Sequence, residues 1–190
     1  MPKQKITKDM VVEAAFQLAR AEGAEQITVK KIAQRLGCSV QPIYSYCTNM
    51  EGLRDDVADR ARAFIREYTA ARIDGNDLFR STGRAYLQLA KEEPHVLKLF
   101  LFQQRRGISS LDEFYRREAS GDADLQIAET LGLSIEQARE LHLDMLLYTV
   151  GIGAVFSVSK PGIPAEEIYQ RQERAYRAFL AAAQEDQKNA

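Results

Sequence analysis

From Lys8 onward, apolar residues recur every three to four positions, and no stretch alternates convincingly between apolar and polar. A chain with that period buries its apolar stripes by packing helix on helix. The expected fold class is therefore all-α. With 190 residues, 45% of them hydrophobic, the chain has enough apolar surface for a real core, and global disorder is not expected.

Capping and breaking residues divide this pattern into about nine helices. The first is expected from Lys8 to Glu22, with Val11, Val12, Ala15, Phe16, Leu18 and Ala19 on its apolar face and Gly23 at its end. Thr28 suits the N-cap of a short second helix. Val29, Ile32, Ala33 and Leu36 then face inward, Lys30, Lys31, Gln34 and Arg35 face out, and Gly37 stops it. Ser39 is the expected cap of a third, with Val40, Gln41 and Pro42 in its first turn. Asn49 caps a long fourth helix through Leu53, Val57, Phe64, Ile65 and Tyr68. The stretch "DGND" at 74–77 breaks the chain before a fifth helix that ends near Lys91. Pro94 opens a sixth. A seventh runs from Leu111 to Leu131 with a defect near Gly121. Ser134 caps an eighth reaching Ser159, and Pro164 opens a ninth that fades out in the last ten residues.

Charge is unevenly placed. Residues 1–50 hold seven Lys/Arg against four Asp/Glu, while the whole chain has a formal net charge of −1. A basic first part on an acidic remainder is the asymmetry of a small DNA-binding head on a body that does not touch DNA. Two cysteines, Cys38 and Cys47, make neither a disulfide framework nor a zinc pattern, so a reduced, cytoplasmic setting is expected. The opening "MPKQKITKDM" has no apolar signal core. The apolar run 141–160 contains His142, Asp144 and two glycines; it falls short of a membrane span and reads as a buried helix. No Ser/His/Asp grouping, paired carboxylates or phosphate-cradling glycine loop is visible. The chain is therefore not read as an enzyme, and no cofactor or metal is expected.

The stretch "TVKKIAQRLGCSVQPIYSYC", 28–47, carries the functional signal. Two short helices joined by a turn holding Gly37 suit a helix-turn-helix, with Ala33 small at the close approach and Ile32, Leu36 and Ile43 packing on Phe16. Ser39, Gln41, Tyr44 and Ser45 then point outward, and these types suit bases and phosphates. By itself the pattern leaves two readings open, a DNA reader and an ordinary helical hairpin.

The surrounding residues resemble the head of the TetR-type (TetR/AcrR-like) transcriptional regulators. The chain has VVEAAFQLARAEG at 11–23, then Ile27, Thr28, Ile32, Ala33, Leu36, Gly37, Ser39, Ile43, Tyr44, Tyr46, Glu51 and Leu53 in the family's order and spacing. The resemblance covers about the first 55 residues; the rest matches in helix count and order. It departs at Cys47, where the family carries Phe, and at Met50, where it carries a phosphate-contacting Lys. It implies an N-terminal three-helix head, with a helix-turn-helix DNA-binding domain at 5–65 and a C-terminal helical bundle at 66–190 for ligand binding and dimerisation. It implies DNA contacts from Thr28, Ser39, Val40, Gln41, Pro42, Tyr44, Ser45, Tyr46, Thr48 and Asn49.

The expected partners are a double-stranded, near-palindromic operator, a second copy of the chain and a small-molecule effector, with no membrane. Tyr86, Phe100, Gln103, Phe114 and Tyr148 are the expected ligand-pocket residues, because bundle interiors are a usual place for such pockets. Leu143, Leu147, Val150, Ala154, Val158, Tyr176 and Phe179 are the expected dimer interface, since one small body cannot easily bury both terminal helices. The rival reading is a helical interaction protein that keeps the head fold and acts through protein partners.

Overall fold

The computed structural model describes residues 6–46, 49–75, 77–103, 105, 107–119, 122–159 and 162–189. Among these there is no strand. The α-helices are α1 Lys8–Glu22, α2 Val29–Leu36, α3 Gln41–Tyr46, α4 Met50–Ala70, α5 Leu78–Glu92, α6 Pro94–Leu101, α7 Leu111–Glu118, α8 Ala123–Leu131, α9 Ile135–Val158 and α10 Ala165–Asn189. The fold is all-α, as the periodicity requires. The described residues form ten α-helices rather than nine, because the stretch expected as one helix over 111–131 ends at Glu118 and restarts at Ala123. The final helix reaches Asn189 instead of fading.

The predicted caps are mostly in place. Thr28 Oγ1 accepts from the Lys31 amide at 3.3 Å, Asn49 Oδ1 from Gly52 at 2.7 Å, and Ser134 Oγ from Gln137 at 3.2 Å. Ser134 and Gln137 form a reciprocal capping box. Thr7 Oγ1 caps α1 by accepting from the Met10 amide at 3.2 Å. Pro94 occupies the first turn of α6, where its missing N–H costs nothing. Ser39 is an exception: α3 begins at Gln41, and the first carbonyl accepting inside it is that of Val40.

The chain divides into two compact units. The first comprises Met1–Ala71 with Glu92–Gln103. Its centre is Val11, Ala15, Phe16, Ile32, Ile43, Leu53 and Val57, all fully or almost fully buried. Val96, Leu97 and Phe100 of α6 are buried too, and α6 packs on α1 and α4. Arg20 Nε donates to Glu93 at 2.9 Å, and a second nitrogen of the same guanidinium pairs with the other carboxylate oxygen. That fork holds the Arg20 pKa above its ordinary value. Arg20 and Arg60 also lie over the rings of Phe64 and Phe16, at 4.6 and 4.9 Å from the centroids.

The second unit comprises Arg72–Lys91 with Gln104–Ala190. Its core gathers Ile127, Ala128, Leu133, Ala138, Leu141, Met145 and Tyr176, where α9 packs on α8 and α10. By length and composition alone α9 is apolar enough to cross a membrane, a test that the core helix of a bundle also passes. It is not simply buried. One stripe, Ala138, Leu141, Met145, Thr149, Gly153 and Phe156, faces the protein, while Leu147, Gly151, Val155 and Val158 are exposed.

A polar cluster lies against this core. Tyr115 donates its hydroxyl to Asp124 and meets His142 Nδ1 at 2.7 Å, and the His142 ring stands edge-on to Phe79 and Tyr115. Burial, reinforced by the Asp124 carboxylate, pushes the Tyr115 pKa up. Burial lowers that of His142 below 6.5, against the opposing pull of Asp124, so the neutral ring is the folded form and the 3.8 Å approach to Asp124 is no ion pair at neutral pH. Stability from His142 is therefore complete above the unfolded value near 6.5 and is lost as pH falls through the lower folded value. Urea midpoints taken on either side of that pH should drop on acidification, with a smaller drop in His142→Gln. Equal slopes in the two proteins would contradict this.

Candidate nucleic-acid interface

Two turns of helix and a glycine set the geometry of the interface. α2 ends at Leu36 because Gly37 adopts the left-handed conformation, φ 62° and ψ 33°. The amides of Gly37 and Cys38 close back onto the carbonyls of Gln34 and Ala33, at 3.2 and 3.0 Å. A side chain with a Cβ pays for that conformation, whereas glycine does not. After four residues α3 begins, packed on both α1 and α2.

α3 is attached through one residue. Ile43 is fully buried, Pro42 is half-buried, and Gln41, Tyr44, Ser45 and Tyr46 are exposed. Tyr44 is 63% exposed and Val40, just before the helix, 44%. The Gln41 amide and the Tyr44 hydroxyl have no hydrogen-bond partner among the described residues, while Ser45 Oγ donates to the Gln41 carbonyl at 3.3 Å. Ser39 and Thr28 are exposed alongside. The structure thus brings Thr28, Ser39, Val40, Gln41, Tyr44 and Ser45 to the accessible surface of the helix-turn-helix.

Three expected contacts stand differently. The Tyr46 hydroxyl donates to the Ile6 carbonyl at 2.8 Å, so it anchors the segment leading into α1. Asn49 spends its side-chain oxygen on the α4 cap and keeps its amide nitrogen. Thr48, like Cys47, lies outside the described residues.

Cations flank the surface. Lys30 and Arg35 on α2 and Arg54 on α4 are exposed and make no ion pair among the described residues. Lys31 faces out but is occupied, donating to Glu22 at 2.8 Å and to Gln26, and Lys8 pairs with Asp56 at 2.8 Å. Helical spacing alone turns Lys30 and Arg35 outward; the pairing that occupies Lys31 and Lys8 is not visible in the sequence.

The expected effector residues are divided between the two units. Phe100 and Gln103 belong to the first unit, and Tyr86, Phe114 and Tyr148 to the second. Phe100 is buried in the core at α6, and Gln103 accepts from Arg62. The Phe114 ring lies beneath Arg105, and Tyr148 packs edge-on against Phe179. Arg105 is ion-paired at 2.9 Å with Glu118, whose side chain is 5% exposed. A groove of about 580 Å³ on the second unit is lined by Arg84, Glu166, Tyr169, Gln170, Glu173, Arg174 and Arg177, none of them among the five.

Of the expected interface residues, Leu147 and Val158 are exposed, and Leu143, Val150, Ala154 and Phe179 are partly buried. Tyr176 is 4% exposed, its ring against Phe79 and under Arg80, so it presents almost no surface.

No family model matches the chain. Over 113 residues it is 32% identical to the HTH-type transcriptional repressor DrrR1 of Streptomyces coeruleorubidus, a match spanning 58% of this chain and 42% of that protein. Solved structures agree on the fold. A TetR-family transcriptional regulator from Streptomyces coelicolor superposes with a TM-score of 0.68 at 12% identity, over 93% of this chain and 81% of that one. A TetR variant from Acinetobacter baumannii AYE in complex with minocycline gives 0.62 at 15% identity, over 95% and 98%. BioQ with its double-stranded DNA operator gives 0.61 at 15% identity, over 93% and 99%. The resemblance read in the first 55 residues is thus borne out by the fold: the chain has the TetR-type architecture.

Gly37 has nothing within 4 Å of where a Cβ would stand, so replacing it tests backbone strain alone. Gly37→Ala should lower the unfolding free energy by about 1–2 kcal/mol, and Gly37→Asn by less. Equal stability of Gly37→Ala and the parent in urea titration would contradict the turn geometry.

Proposed function

We propose that this chain is a cytoplasmic, DNA-binding transcriptional regulator of TetR type, acting as a repressor. In this reading residues 5–65 grip DNA, and residues 66–190 dimerise and bind a small-molecule effector that releases it. The observation that carries the reading is α3. A helix that buries only Ile43 and presents Gln41, Tyr44 and Ser45 has its outer face available to a partner. It follows a glycine-closed turn, and Lys30 and Arg35 are free nearby for phosphates. The repressor DrrR1 supports the direction of regulation, BioQ on its operator supports the DNA target, and minocycline on the TetR variant supports an effector.

Dimerisation follows from α9. Leu147, Gly151, Val155 and Val158 recur at spacings of four, four and three, which is one stripe of a helix. Open space beyond Gly151 lets another helix approach closely. A two-fold arrangement of α9 and α10 from each copy covers that stripe. Two heads then read successive major grooves about 34–36 Å apart, so the operator is a near-palindrome.

The rival reading, a helical protein acting through protein partners, draws on the apolar character of the same surface, Val40 and Tyr44. The two readings part on DNA. Fluorescence anisotropy with duplexes from upstream of the gene should show binding that weakens as salt rises. Tyr44→Ala should cost about 1–3 kcal/mol if it touches a base, and Lys30→Ala should reduce the log–log salt slope by about 0.9. Absence of salt-sensitive binding at every low-salt condition would reject the DNA reading in favour of its rival. In analytical ultracentrifugation the parent should sediment as a dimer and Leu147→Glu should shift it toward monomer; a monomeric parent would reject the α9 interface.

A further inference from the structure

The surface that reads DNA in this account carries no charge. Between Arg35 and Glu51 there is no Asp, Glu, Lys or Arg. The commonest specific protein–DNA contact is a Lys or Arg reaching both acceptors of guanine, O6 and N7. Neither α3 nor the turn before it holds a residue able to make it.

What the surface does hold is complementary to a different base pair. The exposed Gln41 side chain sets a donor nitrogen beside an acceptor oxygen, and no protein group among those described uses either. Adenine presents the matching pair in the major groove, N7 accepting and N6 donating. Tyr44 follows Gln41 by three positions and so adjoins it on the helix surface. Val40 lies on the other side of Gln41 in the chain. Both expose apolar surface suited to the C5-methyl of thymine, a group that only A·T pairs carry in that groove. The remaining tyrosine of α3 is withdrawn from reading, its hydroxyl held by Ile6.

We propose, resting on the DNA-binding reading above, that α3 reads an A·T core in each half-site. Gln41 pairs with an adenine, Val40 and Tyr44 cover thymine methyls, and no guanine is recognised from this helix. Affinity for the backbone comes from the flanking cations, and base choice comes from an uncharged patch.

Selection of bound duplexes from a randomised library, using the full chain at low salt, tests this. The enriched sites should contain A·T pairs at symmetric core positions. Gln41→Ala should flatten the adenine preference at one position per half-site, by roughly 5- to 150-fold in relative affinity, and leave the others. Gln41→Lys should move that position toward guanine. Circular dichroism matching the parent confirms that these exposed variants remain folded. A guanine-centred core that survives Gln41→Ala, or binding without any base preference, overturns the A·T assignment while leaving DNA binding intact. Retention of no duplex at all overturns the DNA reading itself, and the assignment with it.

Discussion

A six-residue helix does not hold together in water on its own; isolated helices below roughly 12–15 residues are marginal even in good sequences. α3 has six residues and α2 eight, so both exist only as parts of a common core. The constraint that the head depends on is the burial of Ile43 beside Phe16, Ile32 and Leu53, all at 1% exposure or less. Because Ile43 is the one fully buried residue of α3, Gln41, Tyr44 and Ser45 are left to the solvent. The same economy explains the glycine. Without the left-handed closure at Gly37, α2 would have no sharp stop and Ile43 could not return to the core.

The head's charges do two separate jobs. Arg20 and Arg60 lie over Phe64 and Phe16 and pair with Glu93 and Glu13, so these cations serve the fold. Lys31 and Lys8 are spent on Glu22 and Asp56. Lys30, Arg35 and Arg54 remain exposed and unpaired among the described residues. A net charge for residues 1–50 counts all of these alike and so says little about how much positive surface meets a phosphate backbone. Met50, standing where the family has a lysine, makes this partition matter more.

Local features were legible in the sequence. Caps at Thr28, Asn49 and Ser134 were, because each is decided within three residues, and so was the stop at Gly37. The surface positions Gln41, Tyr44 and Ser45 followed from helical spacing once Ile43 was taken as the inward residue. Features that depend on distant partners were not legible. The fork between Arg20 and Glu93 joins residues 73 positions apart, and the Tyr46–Ile6 bond residues 40 apart. Helix period alone does not tell that Tyr176 is buried; Phe79 and Arg80, which pack on its ring, lie about a hundred positions away. The surroundings of Phe114 and Tyr148 are set the same way, by Arg105 and Phe179, which aromatic identity does not reveal.

If flanking cations supply affinity and an uncharged α3 supplies base choice, the two respond differently to salt. Phosphate contacts release counterions and weaken steeply as salt rises, whereas contacts to base edges do not. The decisive measurement is the ratio of affinities for a selected duplex and a scrambled one across a salt series. The account predicts that both affinities fall together and their ratio stays above one and nearly constant. A ratio of one throughout, or one that collapses with the affinities, would contradict it.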